Sequence, residues 1–336
     1  MFLHVLGARP NFIKAFPLLA RMKEEGIPYQ IVHTDQHYQY TMSEIFFNEL
    51  NMPPPDFHLE TGSGSHAFQT SQVMMKCEDL FQKLKPSAII VYGDVNSTLG
   101  AALAAAKMQI TIIHIESGSR SFDKTMPEEI NRIMVDHISD VLFSIDKHAV
   151  DNLRAEGIKN NVYLSGNIMI DTLHYVLSLK PKYTSCAEYI LTLHRPTNVD
   201  DPKRLDSILK VVNSLNRQVI FVQHPRIKKI GRYSNIKTIS PLGYVDFVHL
   251  LQQSCGVITD SGGIQCEASV LNKRCITLRN TTEHLSTIEL GTNSLCSDLS
   301  LLPALINTAK HMKELPMIWD GHASERIVKV IKELHG

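Results

Sequence analysis

Residues 88–115 read AIIVYGDVNSTLGAALAAAKMQITIIHI. Ala88–Tyr92 is a short β-branched run with no polar face. Ser97–Lys107 follows with a helical pattern, and Thr111–Ile115 is again short and β-branched. A strand apolar on both faces suits a parallel sheet covered by helices on each side. The same alternation runs outward in both directions. Phe2–Leu6 and Tyr29–Thr34 precede it, and Val141–Ile145 and Val162–Ser165 follow. Further on, Tyr189–Leu193, Val219–Gln223, Gly256–Thr259 and Cys275–Leu278 read the same way. Helical patterns lie between them, as in Phe12–Lys23, Glu128–Ser139, Asp201–Asn213 and Tyr244–Ser254. The fold class this predicts is α/β, doubly wound.

The 336 residues exceed what one core usually holds, so two domains are expected. The alternation pauses over Leu173–Cys186, where Lys180-Pro181-Lys182 and Ser185 read as a linker. The expected division is residues 1–172, then 173–317, then a C-terminal piece over 318–336. Its helix, from about His322 to Leu334, is expected to return to the first domain. Open parallel sheets bind ligands at the carboxyl ends of their strands, so two such sheets are expected to face a central cleft.

Lys+Arg and Asp+Glu both number 34, which leaves no net field to draw nucleic acid or an acidic membrane. Any anion site must be local. The six cysteines show no CxxC pair, so neither a disulfide framework nor a metal site is expected. The apolar opening is cut by Gly7 and Arg9, too short for a signal segment, and no stretch approaches membrane-spanning length. A cytoplasmic location is the corresponding expectation.

The polar residues of interest follow the strands. Gly7-Ala8-Arg9-Pro10 leaves the first, with Gly7 expected to permit a tight turn and Pro10 at the first turn of a helix. Arg9 and Lys14 beside free helix N–H groups would make an anion site; a solvated basic loop is the plain alternative. The spacing is not GxGxxG, so no dinucleotide is implied. Gly93-Asp94 ends the third strand, where Asp94 is either a base or a helix cap. Glu116 ends the fourth, with Arg120 as a candidate partner. Glu128 and Arg132 stand four apart on one helical face, where a surface ion pair is the plain reading. Together Asp94, Glu116 and Glu128 are expected to converge on one sheet edge.

In the second half two strands run into His194-Arg195 and His224-Pro225-Arg226. Paired histidine–arginine clusters point to phosphate binding or acid–base work. Thr259-Asp260-Ser261-Gly262-Gly263 leaves a strand and opens a helix, where Ser261 and two bare glycine backbones suit a phosphate cradle. Glu267, one turn on, is placed to hold ribose hydroxyls. A glycine-rich turn capped by Asp260 or Ser261 is the alternative.

The blocks GARPNFIK, YGDVNSTL, IESGSRSFD, MPEEINR, GNIMIDTL, LTLHRP, HPR, PLGYVDF, TDSGGIQCEA, LRNTTE and WDGHASERI occur in order along nearly the whole chain. In them the sequence resembles the non-hydrolysing UDP-N-acetylglucosamine 2-epimerases. The resemblance implies two Rossmann-like domains in a glycosyltransferase-B-like arrangement, a UDP-sugar substrate, no cofactor and a homodimer. It implies elimination of UDP from C1 with loss of the C2 proton, then re-addition to the 2-acetamidoglucal with protonation from the other face. By resemblance, Arg9, His194, Ser261, Gly262 and Gly263 hold the diphosphate, with Lys14 in support. Glu267 takes the ribose, and Phe247 packs near the uracil beside Leu242. Asp94, Glu116 and Glu128 form the acid–base set with Arg132 beside them and His194 counted among the catalytic groups. Gln36, Gln39, Gln69, Arg195 and His224 are the positions that would serve an activator site.

Four departures stand out: His284 where relatives carry Arg, Asp35 for Gly, Ser119 for Leu and Cys266 for Glu. His284 is retained as a substrate contact. The GARPNFIKA opening is also similar to relatives acting on UDP-diacetamido-uronic acids. Gly291-Thr292-Asn293-Ser294 and the WDGHASERI ending favour N-acetylglucosamine. A glycosyltransferase of the same architecture, a hydrolysing epimerase and an inactive nucleotide-sugar sensor are the competing readings.

Overall fold

Every strand read from the sequence is present to within two residues at each end, and all recorded strand pairs are parallel. The computed structural model describes residues 1–35, 47–185, 187–228, 230–308 and 313–335. The strands are β1 (Phe2–Leu6), β2 (Tyr29–His33), β3 (Phe57–His58), β4 (Ala88–Tyr92), β5 (Thr111–Ser117), β6 (Val141–Ser144), β7 (Val162–Leu164), β8 (Tyr189–Thr192), β9 (Val219–Val222), β10 (Ile236–Ile239), β11 (Gly256–Thr259), β12 (Arg274–Thr277) and β13 (Asn293–Leu295). They form two sheets, ordered β3-β2-β1-β4-β5-β6-β7 and β10-β9-β8-β11-β12-β13. In each, the direction of winding reverses once, between β1 and β4 and between β8 and β11. Chain leaving the strands at such a point diverges to opposite faces and opens a crevice at their carboxyl ends.

The chain divides into two units, Met1–His174 with Pro316–Gly336, and Tyr175–Leu315. In the second, consecutive strand residues feed opposite cores. Leu191, Phe221, Ile258 and Ile276 pack with Leu205, Ile208 and Val212 of the helix Pro202–Asn213. Their neighbours Ile190, Ile220, Val257 and Cys275 pack with Leu250, Leu251 and Ala268. This two-sided burial explains the lack of polar alternation, and each such side chain contributes about 1.5–3 kcal/mol. In the first unit, Leu3, Val5, Ile89 and Val91 meet Val73, Phe81 and Leu99 from the helices His66–Leu84 and Asn96–Lys107. Gly100 lets those helices touch, since a Cβ there would lie 2.9 Å from Thr70 O.

The expected linker begins later than the sequence pause implied, because the helix Ile168–Leu177 continues through Leu173. Its apolar periodicity is masked by a run of buried residues on all sides. The C-terminal segment belongs with the first unit. The Trp319 indole donates to Ile145 O at 3.0 Å, and Asp171 accepts from the Ala323 and Ser324 amides that open the helix Ala323–His335. Lys332 then pairs with Glu25 at 2.9 Å.

Candidate active site

In the first unit the carboxyl ends of β1, β4 and β5 lie side by side, which brings three loops together. After β1, Asn11 Oδ1 accepts the Gly7 and Ala8 amides at 3.0 and 3.1 Å, while its Nδ2 donates to Tyr92 O at 2.9 Å. Asn11 thereby ties the start of the helix Arg9–Glu24 to the end of β4. Gly7 is required for a different reason than a tight turn. A Cβ there would fall 2.0 Å from Ser97 Oγ, so glycine permits the close approach of the following helix. Arg9 is half-buried, and desolvation draws its guanidinium below the usual range against the opposing charge of Glu49.

Lys14 points inward, and its Nζ lies 2.8 Å from Glu116 Oε2. Glu116 is non-glycine backbone at φ +72°, where the β5–β6 register shifts between Ile115 and Ser117. A bulge of this kind redirects one side chain out of the pleat, and a left-handed glutamate costs on the order of 1–3 kcal/mol. Asp94 Oδ2 lies 2.5 Å from Arg132 Nη2, whose Nη1 lies 2.7 Å from Glu129 Oε2. The Asn131 amide donates to Asp94 O at 2.8 Å.

Two sequence expectations are corrected. Arg120 is not the partner of Glu116; it pairs with Asp136 at 2.7 Å and with Glu156 at 2.8 Å, because the bulge turns Glu116 towards Lys14. Arg132 is not in a surface pair with Glu128. It is 3% exposed and takes Glu129 and Asp94, while Glu128 is half-buried and makes no hydrogen bond or ion pair among the described residues. Glu129 instead points inward and also accepts the Ser121 and Phe122 amides. The structure thus brings Asp94, Glu116, Lys14 and Arg132 into two cation–carboxylate pairs, Lys14–Glu116 buried and Asp94–Arg132 half-buried on the carboxylate side, without engaging Glu128.

In the second unit β8 and β11 are neighbours, with Thr192 opposite Thr259. Asp260 follows β11, fully buried, and organises the loop after β8. It accepts the His194 and Arg195 amides and Asn198 Nδ2 at 3.1 Å, and its Oδ1 lies 2.8 Å from His194 Nδ1. These contacts hold the Asp260 carboxyl below its ordinary range although burial pushes it up. The opposite edge of the His194 ring stays accessible, with the His224 ring centred 6.0 Å away. Asp260, read as a possible cap, is thus the hub of this loop. Its position straight after an apolar strand was the available signal.

Ser261 stands at the N-cap of the helix Gly262–Val270, extended and without a side-chain capping bond. At Gly262 a Cβ would lie 2.4 Å from Glu283 Oε1 and 3.3 Å from His284 Nε2, so a side chain there must displace the Glu283 carboxylate. Glu283 pairs with Arg279 at 2.6 Å, and His284 is buried. Gly263 completes the helix start and is half-buried. Glu267 is 3% exposed; burial pushes its carboxyl up to about 7, although the Tyr244 hydroxyl donates to it at 2.8 Å. Phe247, in the helix Tyr244–Gln253, is half-buried and packs with Leu242 against the core around Leu250.

Of the activator positions, Gln36 and Gln39 lie outside the described residues. Gln69 is buried and accepts from Asn96 Nδ2 at 2.8 Å, and Arg195 Nε donates to Asp260 O at 2.9 Å. His224 accepts the Arg226 amide at 3.2 Å. One further grouping, His33, Asp35 and His58, brings three donor atoms within 4.8 Å of one another. Asp35 has φ +54° and is contacted by both rings and by the Glu60 amide, so its carboxylate is satisfied by these neighbours. None of the described cysteines is in a disulfide, and no helix among the described residues is long and apolar enough to cross a membrane.

Two doubly wound parallel sheets, each with its polar residues at the strand ends flanking a reversal, define a nucleotide-sugar enzyme of the glycosyltransferase-B-like fold. The family model for UDP-N-acetylglucosamine 2-epimerase matches residues 20–332, and the chain belongs to this isomerase family. A UDP-N-acetylglucosamine 2-epimerase homolog of Methanococcus maripaludis is 40% identical, covering 98% of this chain and 99% of that protein. A UDP-2,3-diacetamido-2,3-dideoxy-D-glucuronate 2-epimerase of Pseudomonas aeruginosa is 39% identical over 99% of both. The crystal structure of Methanocaldococcus jannaschii UDP-GlcNAc 2-epimerase in complex with UDP-GlcNAc and UDP superposes with a TM-score of 0.90 at 36% identity, covering 99% of this chain and 100% of that one.

Proposed function

We propose that this protein interconverts UDP-N-acetylglucosamine and UDP-N-acetylmannosamine at C2. The observation that carries the reading is the two cation–carboxylate contacts at adjoining strand ends, half-buried Asp94 with Arg132 and buried Glu116 with Lys14. Carboxylates seated against cations, with some access left at Asp94, suit proton transfer at a carbon centre. In this reading Asp94, Glu116 and Glu128 form the acid–base set. One takes the C2 proton as the C1–O bond breaks, the electron pair forms the C1–C2 double bond, and UDP departs with the charge. UDP then adds back to C1 while C2 takes a proton on the other face.

The second unit's strand ends hold the nucleotide in this proposal. Ser261, Gly262 and Gly263 offer amides to the diphosphate with His194 and Arg9, and donors aimed at a leaving anion contribute roughly 3 kcal/mol each. Glu267 accepts from the ribose, Phe247 lies near the uracil, and His284 contacts the substrate. The complex of the M. jannaschii enzyme with UDP-GlcNAc and UDP supports this ligand class.

The near-equal similarity to the P. aeruginosa uronate epimerase makes the diacetamido-uronic acid the second reading. Incubation with each UDP-sugar in deuterated water, followed by proton NMR, tests both. UDP-N-acetylmannosamine carrying deuterium at C2 is the expected product. Free N-acetylmannosamine with UDP would indicate a hydrolysing enzyme, and no exchange in either sugar would reject both epimerase readings.

A further inference from the structure

His114 lies in the middle of β5 and is fully buried. Its Nδ1 is 2.7 Å from Asp136 Oδ1 and its Nε2 is 2.8 Å from Gly93 O. Both neighbours are acceptors. A neutral imidazole has one N–H and would set a lone pair against one of them, at a cost that burial makes large. The contacts therefore require a proton between His114 and Asp136 in addition to the one on Nε2. Asp136 Oδ2 is already engaged by the Arg120 guanidinium at 2.7 Å and by the Gly118 amide at 3.0 Å. Two donors on that oxygen favour the ionised carboxylate, which leaves the extra proton on the ring.

The charges close on this assignment. Asp136 faces the ring from the helix Pro127–Ile138, Arg120 reaches it from the segment after β5, and Glu156 takes the far side of Arg120 at 2.8 Å. His137 lies 3.8 Å from Glu156 at the exposed edge, and Lys14 and Glu116 form their own pair past Gly93. With a charged ring the set His114, Asp136, Arg120 and Glu156 is neutral. With a neutral ring it is left with a net negative charge, three of its four members being buried and Glu156 half-buried.

We infer that His114 is a buried imidazolium that acts as a positioning residue, clamping the Gly93 carbonyl and so fixing the backbone that carries Asp94 against the strand that carries Glu116. Gly93 is held on both sides by β5, since its amide also donates to Ile115 O at 2.9 Å. It has φ +59°, and Lys14 Nζ sits 2.8 Å from where its Cβ would be. A shift in Gly93 thus moves Asp94 directly and loosens the seat of Lys14, the partner of Glu116. The role of His114 in turnover rests on the acid–base reading of Asp94 and Glu116 given above; its charge state does not.

The test joins spectroscopy to kinetics. Long-range proton–nitrogen NMR on histidine-labelled protein, with the His114 signal assigned by its loss in His114→Gln, is expected to show both ring nitrogens protonated from pH 6 to 8.5. A ring with one protonated nitrogen in that range overturns the inference. Folded His114→Gln is expected to lose about 10- to 100-fold in kcat, with KM and UDP affinity within threefold, as for a misplaced proton-transfer group. A kcat within twofold of the parent, or an equal loss in UDP affinity, overturns the positioning role. If that variant does not fold, Asp136→Asn carries the same readings, and its ring should become neutral. The NMR result needs no substrate, so it decides the charge state even if neither UDP-sugar turns over.

Discussion

Lys14 Nζ and Glu116 Oε2 are 2.8 Å apart, and neither side chain is more than 9% exposed. An ion pair that dry is costly to assemble and more costly to break by removing one partner. Its place at the end of β5 indicates use rather than stabilisation. Replacing Glu116 with Gln is expected to lower C2 exchange by about 10²–10⁴-fold. UDP affinity, measured by calorimetry, should stay within threefold; an equal collapse in UDP binding would make Glu116 structural. Lys14→Met should reproduce the kinetic loss and also lower the melting temperature, since it leaves a buried carboxylate unpaired.

Gly262 is expected to be irreplaceable on the nucleotide side. A methyl group there meets Glu283 Oε1 at 2.4 Å and must displace the Glu283–Arg279 pair or the start of the helix. Gly262→Ala should weaken UDP binding about tenfold or more, read by calorimetry. Unchanged affinity would remove this helix start from the diphosphate site.

Glu267 gives a pH signature. Its folded carboxyl titrates near 7, raised by burial and only partly lowered by the Tyr244 hydrogen bond. A raised folded value means the stabilising contribution is complete below the unfolded range, about 4.3, and is lost as pH climbs through 7. The free protein should therefore lose on the order of 3 kcal/mol between pH 4.5 and 8 from this group, and Glu267→Gln should flatten that slope. Ribose hydroxyls donating to Glu267 favour its ionised form, so UDP binding near pH 6 should release a proton. Calorimetry in buffers of different ionisation enthalpy reads this directly. No release, or release unchanged in Glu267→Gln, would place the ribose elsewhere.

Asp35 gives the opposite sign. Burial pushes its carboxyl up, but His33, His58 and the Glu60 amide draw it down to about 2. A depressed folded value contributes stability above the unfolded range, lost as pH falls from about 4 towards 2. Asparagine tolerates the left-handed backbone found at Asp35, so Asp35→Asn isolates the charge. Its melting temperature should lie below the parent's at pH 7, and the gap should shrink towards pH 3. A constant gap would mean that the carboxylate charge contributes nothing.

The sheets were legible because their central strands are buried on both faces. Phe57–His58, Ile236–Ile239 and Asn293–Leu295 did not stand out in the sequence. All three are edge strands, and exposed Lys237 and Thr238 show how an edge dilutes the apolar signal. At the site, residue types and strand-end positions were readable, but partners were not. Glu116 meets Lys14 across about a hundred residues of chain, whereas Arg120 is only four away and faces another carboxylate. The left-handed turn at Glu116 decides between them, and no local pattern announces it. Arg132 pairs with Glu129 rather than Glu128 for a similar reason, since the first turn of a helix leaves open which of two adjacent acids looks inward.

The only tryptophan, Trp319, is 3% exposed and bonded to the Ile145 carbonyl within the first unit. Intrinsic fluorescence is therefore a built-in reporter of half the molecule. Its emission follows the return of the C-terminal segment to Met1–His174 and stays nearly blind to melting of Tyr175–Leu315. A denaturant curve followed by this signal and one followed by far-ultraviolet circular dichroism coincide only if the units unfold together. UDP held by the second unit should then shift the dichroism midpoint first.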